Sequence, residues 1–128
     1  MIALDTHAWI WLASNSSKLS RKAKSACSSA EALLVSAISV WEVAMLVAKE
    51  RLVLDRDVEI WIRQALTLPK VRLEPLTPTI AVRATRLASA FPGDPADRII
   101  AATALEHGAP LVTRDERLRA QSTLRTIW

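Results

Sequence analysis

The feature that most constrains this chain is the order of its apolar runs, in which short strand-like stretches alternate with longer helical ones throughout. Ile2–Leu4 reads as a short buried strand, followed by an apolar helix over residues 6–13 (THAWIWLA). A polar turn, Asn-Ser-Ser, leads to a basic helix over 20–26, then a second strand over 33–36 (LLVS) and helices over 39–51 and 58–66. Residues 71–76 (VRLEPL) read as a third strand, placed near a sheet edge because Pro75 cannot donate to a ladder. A helix over 78–88 and the turn 91–95 precede a helix over 96–107, which Gly108 and Pro110 stop. Residues 110–113 form a strand, 116–120 a short helical segment and 124–127 a last strand. Alternation of this kind predicts an α/β fold around a sheet. With 128 residues, 51% of them hydrophobic, the chain is the size of one domain and has material for one core. There are no internal repeats or low-complexity segments.

Two of the helices are apolar on more than one face. Trp9 and Trp11 stand about 200° apart around a helix, so one core cannot cover both. The stretch WEVAMLVA behaves similarly. A helix of this type is covered on two sides, by the sheet and by either a neighbouring helix or another chain.

Charge and cysteine content narrow the setting. The lone Cys27 has no internal disulfide partner, which suits a reducing compartment. Asp5 interrupts the first apolar run before a signal peptide forms, and no uncharged stretch approaches the ~20 residues of a membrane span, so a soluble cytoplasmic protein is expected. Lys and Arg number 17 against 13 acids, for a net charge of +4. If four acids converge on one site, the remaining surface carries 17 basic against 9 acidic groups, an excess of 8. Such a surface around an acidic pit suits a polyanion such as RNA.

The acids are Asp5, Glu42, Asp97 and Asp115, and each has a sufficient structural explanation taken alone. Asp5 stands where the first strand becomes the first helix, as an N-cap does. Ser39 and Glu42 match the capping box S-x-x-E. Asp94-Pro95-Ala96-Asp97 reads as a helix start with Asp94 as the cap, and Asp115 caps the segment after it. The joint pattern says more. Ligands of parallel α/β sheets bind beyond the carboxyl ends of the strands, where Asp5, Glu42 and Asp115 fall and where the helix opened by Asp97 begins. Carboxylates gathered there raise one another's pKa unless a cation sits among them, and oxygen-only donors select a hard ion, Mg2+ or Mn2+. Zinc is not expected, because His7 and His107 are isolated and there is no cysteine cluster.

Other acid-based and phosphate-handling α/β sites do not match. A haloacid-dehalogenase site needs D-x-D, but Asp5-Thr6-His7 has a histidine third. A receiver domain needs a late lysine, and none follows Lys70. With Gly93 and Gly108 as the only glycines, P-loop, dinucleotide-binding and nucleophile-elbow motifs are absent.

The stretches LDTHAWIWL (4–12), SAISVWEVA (36–44), DPADRIIAATA (94–104) and LVTRD (111–115) resemble the PIN-domain family, and within it the VapC-type toxins of bacterial toxin–antitoxin pairs. The resemblance implies a single PIN domain over 1–128, with a three-layer α/β/α sandwich and a central parallel sheet. It implies a Mg2+-dependent endoribonuclease, with Mn2+ as an alternative cofactor and Asp5, Glu42, Asp97 and Asp115 as the acidic quartet. Asp5 and Asp97 are then direct metal ligands, Asp115 acts through water or a second ion, and Glu42 combines helix capping with the site. Thr6, Thr113 and Arg98 fall in the matching stretches as supporting residues, with Asp94 read as a cap. The histidine that relatives often carry shortly before the DPADR stretch is replaced here by Phe91-Pro92-Gly93. Expected partners are a cognate antitoxin, RNA and a second copy of the chain, with Trp9, Trp11 and Trp41 on the two-faced helices fitting helix-in-groove and dimer contacts. Arg114 and Arg117, with Arg119 and the group Lys18, Arg21, Lys22 and Lys24, are candidates for phosphate contacts or for solvated helix faces. A PIN-like module that binds RNA or protein without cleaving is the alternative.

Overall fold

The computed structural model describes residues 1–128. The elements are β1 (Ile2–Leu4), α1 (Thr6–Ala13), α2 (Arg21–Ser29), β2 (Leu33–Ser36), α3 (Ala37–Ala48), α4 (Val58–Leu66), β3 (Val71–Glu74), α5 (Pro78–Thr85), α6 (Pro95–Glu106), β4 (Leu111–Val112), α7 (Glu116–Arg119) and β5 (Thr126–Ile127). The five strands form one sheet in the order β3-β2-β1-β4-β5, every pair parallel. This is the expected α/β/α sandwich, with β3 at the edge as expected, although the strand stops at Glu74, before Pro75. From β1 the chain builds outward through β2 and β3, then returns to add β4 and β5 on the other side. The carboxyl ends of β1 and β4 therefore flank the topological switch point, where α/β sheets leave a crevice.

Strand alternation divides the core into two layers. Ile2, Leu4, Leu33, Val35 and Val112 face one side, where they meet Trp9, Val43, Trp61 and Cys27 of the helices. Ala3, Leu34 and Leu111 face the other and meet Ile100, Ala101, Ala104 and Leu118. Trp9 is fully buried, edge-on to Trp61 with ring centroids 5.4 Å apart. A third small cluster, Ile80, Ala84 and Ala102, joins α5 to α6, where small side chains let the helices approach closely. The Lys70 ammonium donates to the carbonyls of Cys27 (3.0 Å) and Ser28 (2.9 Å), satisfying the C-terminal end of α2 from the far side of β2.

The two-faced character of α1 is met in part within the chain. Trp9 goes to the core, while the half-buried Trp11 packs on Trp128 at a centroid distance of 5.8 Å. Helix α3 keeps an uncovered face, with Trp41 57% exposed. No helix is long and apolar enough to cross a membrane.

Several local boundaries are corrected. Helix α3 begins at Ala37, three residues before the capping box places it, and its cap is Ser36, whose hydroxyl accepts from the Ile38 N–H. Ser39 and Glu42 are consequently interior residues of α3, and their side chains are free for another task. The same helix ends at Ala48, earlier than expected, through Lys49 and a left-handed Glu50 (φ 57°). Likewise α5 stops at Thr85 instead of running to residue 88, and β5 is confined to Thr126–Ile127.

A left-handed backbone costs an L-residue roughly 1–2 kcal/mol, and an acidic side chain at a helix C-terminus opposes the dipole. Glu50→Gly is therefore expected to raise stability by about 0.5–1 kcal/mol, after allowing for the unfolded-state entropy of glycine. The urea-unfolding midpoint of the variant measures this; a lower midpoint would contradict it.

Candidate active site

The acids meet at the switch point because the two central strands are joined there by the backbone. The Asp5 N–H donates to the Val112 carbonyl at 3.1 Å, bringing the end of β1 beside the end of β4. Around this junction lies an open cleft of about 350 Å³. Helix α1 and its cap supply Asp5, Thr6, His7 and Trp11; α3 supplies Glu42; α6 and its cap supply Asp94 and Asp97; the segment after β4 supplies Arg114 and Asp115. All four members of the expected quartet share the cleft.

Each acid is also held locally. Asp5 caps α1 by accepting from the Ala8 N–H (2.8 Å), and Asp115 caps α7 by accepting from Arg117 (2.8 Å) and Leu118 (3.2 Å). Asp94 accepts from the N–H groups of Ala96 (2.8 Å) and Asp97 (3.4 Å), and so presents Asp97 on the first turn of α6. Asp94 both caps its helix and lines the cleft, a combination that sequence spacing alone did not disclose.

The hydroxyls explain how the carboxylates keep their aim. The Thr6 hydroxyl lies 2.5 Å from a Glu42 carboxylate oxygen and 3.0 Å from the Ser39 hydroxyl. Each hydroxyl has one proton. Thr6 gives its proton to the carboxylate, and the fully buried Ser39 gives its own to Thr6, so a Ser39–Thr6–Glu42 relay ties α3 to α1. Thr113, also fully buried, accepts from the Asp115 N–H (3.1 Å) and bonds the Asp5 side chain. Arg98 is placed differently. Its guanidinium donates to the carbonyls of Ala84 (3.0 Å), Leu87 (2.8 Å) and Pro92 (3.3 Å), so it braces the loop between α5 and α6 and does not line the cleft.

Of the other basic candidates, Arg117 lies 3.7 Å from Asp115 and is well exposed, and Lys18 lines a separate apolar groove. Arg21 and Lys22 lie on a shallow face of α2 near Ile127. His7 and Trp11, which the spacing of acids did not point to, complete the cleft wall. The pairing of Trp11 with His7 one turn earlier on α1 was the available signal.

Burial is the main force on the acids' protonation. It raises the pKa of Asp5, against the hydrogen bonds from Thr113 and Ala8 and the attraction of His7. It also raises Glu42, against the Thr6 hydrogen bond, with Asp94 adding repulsion. Asp97 is pushed up to about 7, by burial first and then by the negative charges of Asp94, Glu42, Asp115 and Asp5. These groups hold protons that free carboxylates would release, and a divalent cation would displace them. The donor set is hard oxygen throughout and fits Mg2+ or Mn2+ by chemistry. As the side chains lie, no three close around a metal-sized point.

The fold and the site together define a parallel α/β sandwich with an acidic cleft of partly desolvated carboxylates at its switch point. The chain belongs to the PIN domain family, whose model matches residues 2–123. It is 43% identical over 129 residues to Ribonuclease VapC22 of Mycobacterium tuberculosis, an alignment covering 99% of this chain and 98% of that protein. Among solved structures it is similar to a toxin–antitoxin complex from Klebsiella pneumoniae (25% identity, TM-score 0.67, covering 97% of this chain and 95% of that one). It is also similar to FitAcB from Neisseria gonorrhoeae (25% identity, TM-score 0.69, 98% and 96% covered).

The Asp97 environment gives a stability test. In the fold Asp97 keeps its proton to about pH 7, whereas an unfolded aspartate loses it near 3.8. The native state binds the extra proton between those values, so Asp97 makes stability fall as pH rises through that window. In metal-free buffer, the melting temperature of Asp97→Asn relative to wild type is expected to increase from about pH 4 to about pH 7 and to equal or exceed wild type above it. A variant clearly less stable than wild type above that range would show that the Asp97 charge is used structurally.

Proposed function

We propose that the chain is a metal-dependent endoribonuclease and the toxin of a toxin–antitoxin pair. The observation that carries this reading is the gathering of four buried or half-buried acids in one cleft, in a chain 43% identical along its length to a ribonuclease. Asp5, Glu42, Asp97 and Asp115 would hold Mg2+ or Mn2+. Bound there, the cation would polarise a water for attack and offset the charge that builds on phosphate oxygens.

The chain's own residues prepare that chemistry. The Ser39–Thr6 relay keeps a Glu42 oxygen directed into the cleft, and Thr113 does the same for Asp5 while shaping the turn to Asp115. Asp94 fixes the start of α6 and so the position of Asp97. A module that only bound RNA would have no use for acids whose burial and mutual repulsion reduce stability, so catalysis is the better account.

The antitoxin belongs in the apolar groove beside the cleft. This groove of about 620 Å³ is lined by Ile10, Trp11, Leu52, Leu54, Trp61 and Ala65 among others, and shares Trp11 with the acids. An amphipathic helix seated there would bury its apolar face and end near the carboxylates. The exposed Trp41 face of α3 is the proposed homodimer contact.

Purified protein with Mg2+ or Mn2+ is expected to cleave RNA, tested on a pool that includes structured RNAs, and to lose all cleavage on chelation or in Asp5→Ala. Cleavage that survives either treatment would sink the proposal. Thr6→Val, which removes a group supporting a ligand, is expected to reduce the rate about 10–100-fold with the fold retained. Metal titration followed by calorimetry in two buffers of different ionisation heat should show proton release, with affinity rising as pH passes about 7.

A further inference from the structure

Five carboxylates line the cleft, and a polyanion approaching them meets repulsion unless positive charge is waiting at its mouth. Only two cleft residues have a basic side chain, His7 and Arg114. His7 sits against the acids, lowering the pKa of Asp5 and Glu42. Arg114 is different. It is exposed, and its guanidinium makes no hydrogen bond or ion pair with any residue of the chain, although Asp115 is its neighbour in sequence. The Asp115 carboxylate faces Arg117 instead.

What holds Arg114 is an aromatic face. Its guanidinium carbon lies 4.9 Å from the centroid of the Trp11 ring, and Trp11 packs in turn on Trp128. Stacking of a planar guanidinium uses its π face and leaves its five N–H donors free at the edge. An arginine lying over an aromatic ring, with no donor used within the chain and at the rim of an acidic cleft, has the form of a phosphate fork.

We infer that Arg114, braced on Trp11, grips a backbone phosphate of single-stranded RNA next to the one cleaved. This rests on the ribonuclease reading and adds to it the residue that offsets the cleft's negative charge for the substrate. The contact is to the phosphate, so it positions the strand without reading its bases. Trp11 acts through Arg114 and is a positioning residue.

The competing account is a purely structural brace, in which Arg114 covers Trp11. Salt dependence separates the two, because each phosphate contact on a single strand contributes about 0.7 to the slope of log affinity against log salt. With wild type, Arg114→Ala, Arg114→Lys, Trp11→Leu and the Arg114→Ala/Trp11→Leu double variant, cleavage of a short labelled single-stranded RNA is followed over about 50–200 mM salt. Arg114→Ala is expected to raise KM about tenfold with kcat within about twofold, and to flatten the slope of log(kcat/KM) by about 0.7. Arg114→Lys should restore the slope and only part of KM, since a lysine keeps the charge but not the fork. Trp11→Leu should raise KM, and the double variant should be little worse than Arg114→Ala alone.

Fluorescence anisotropy of the same RNA, with wild type and Arg114→Ala, reads the contact without cleavage. An unchanged salt slope in both measurements, or a loss confined to kcat or to melting temperature, overturns the inference while leaving the ribonuclease intact. Absence of metal-dependent cleavage by wild type overturns the ribonuclease reading, and the anisotropy slope then decides the phosphate contact alone.

Discussion

The hydrogen bond from the Asp5 N–H to the Val112 carbonyl joins positions more than a hundred residues apart, and the cleft exists because of it. β1 pairs with β2 on one side and β4 on the other, so the sheet grows in two directions from its first strand. The helices leaving β1 and β4 separate at that point, and the crevice between them is where an acid at either strand end must point. Asp5 and Asp115 come from those two strand ends. Glu42 and Asp97 reach the same place from α3, whose Val43 packs in the layer of Ile2, Leu4 and Val35, and from α6, which packs on the Ala3–Leu34–Leu111 layer. Two residues of pairing in β4 suffice because both of its neighbours lock it in parallel register.

The cleft is assembled against an electrostatic gradient. Burial and mutual repulsion raise Asp5, Glu42 and Asp97 together, and the fold tolerates this through supports that are themselves well paired. Ser39, Thr6 and Thr113 are buried polar groups with every hydroxyl used. Three helix caps, from Asp5, Asp94 and Asp115, satisfy backbone donors while delivering their charge to the cleft. The capping and functional accounts of these residues are therefore not rivals. A carboxylate has two oxygens, and one used for a backbone N–H leaves the other for the site.

That duality explains what the sequence disclosed and what it hid. The α/β order and the positions of the four acids are local signals, since strand ends and helix starts are written in apolar runs and caps. The start of α3 was misplaced because Ser36 and Ser39 are both competent caps one turn apart, and only the register of β2 decides between them. Freed from capping, Ser39 and Glu42 become part of the relay with Thr6. Arg98 falls inside a stretch shared with relatives, yet its work is to bind a carbonyl near the end of α5 and two in the loop after it, whose path no local signal gives. The packing of Arg114 on Trp11 and of Trp11 on Trp128 joins three distant segments and was equally invisible.

The chain has five tryptophans and no tyrosine, so its near-ultraviolet absorption and emission come almost wholly from indole. Those indoles occupy contrasting surroundings: Trp9 and Trp61 pack edge-to-face in the core, Trp41 faces solvent, and Trp11 lies between a guanidinium and Trp128 at the rim of the cleft. A cation over an indole face and a second indole at its side both perturb its excited state. The molecule thus carries its own optical probe at the mouth of the acids, coupled through Trp128 to the last strand, and changes there are readable without attaching a dye.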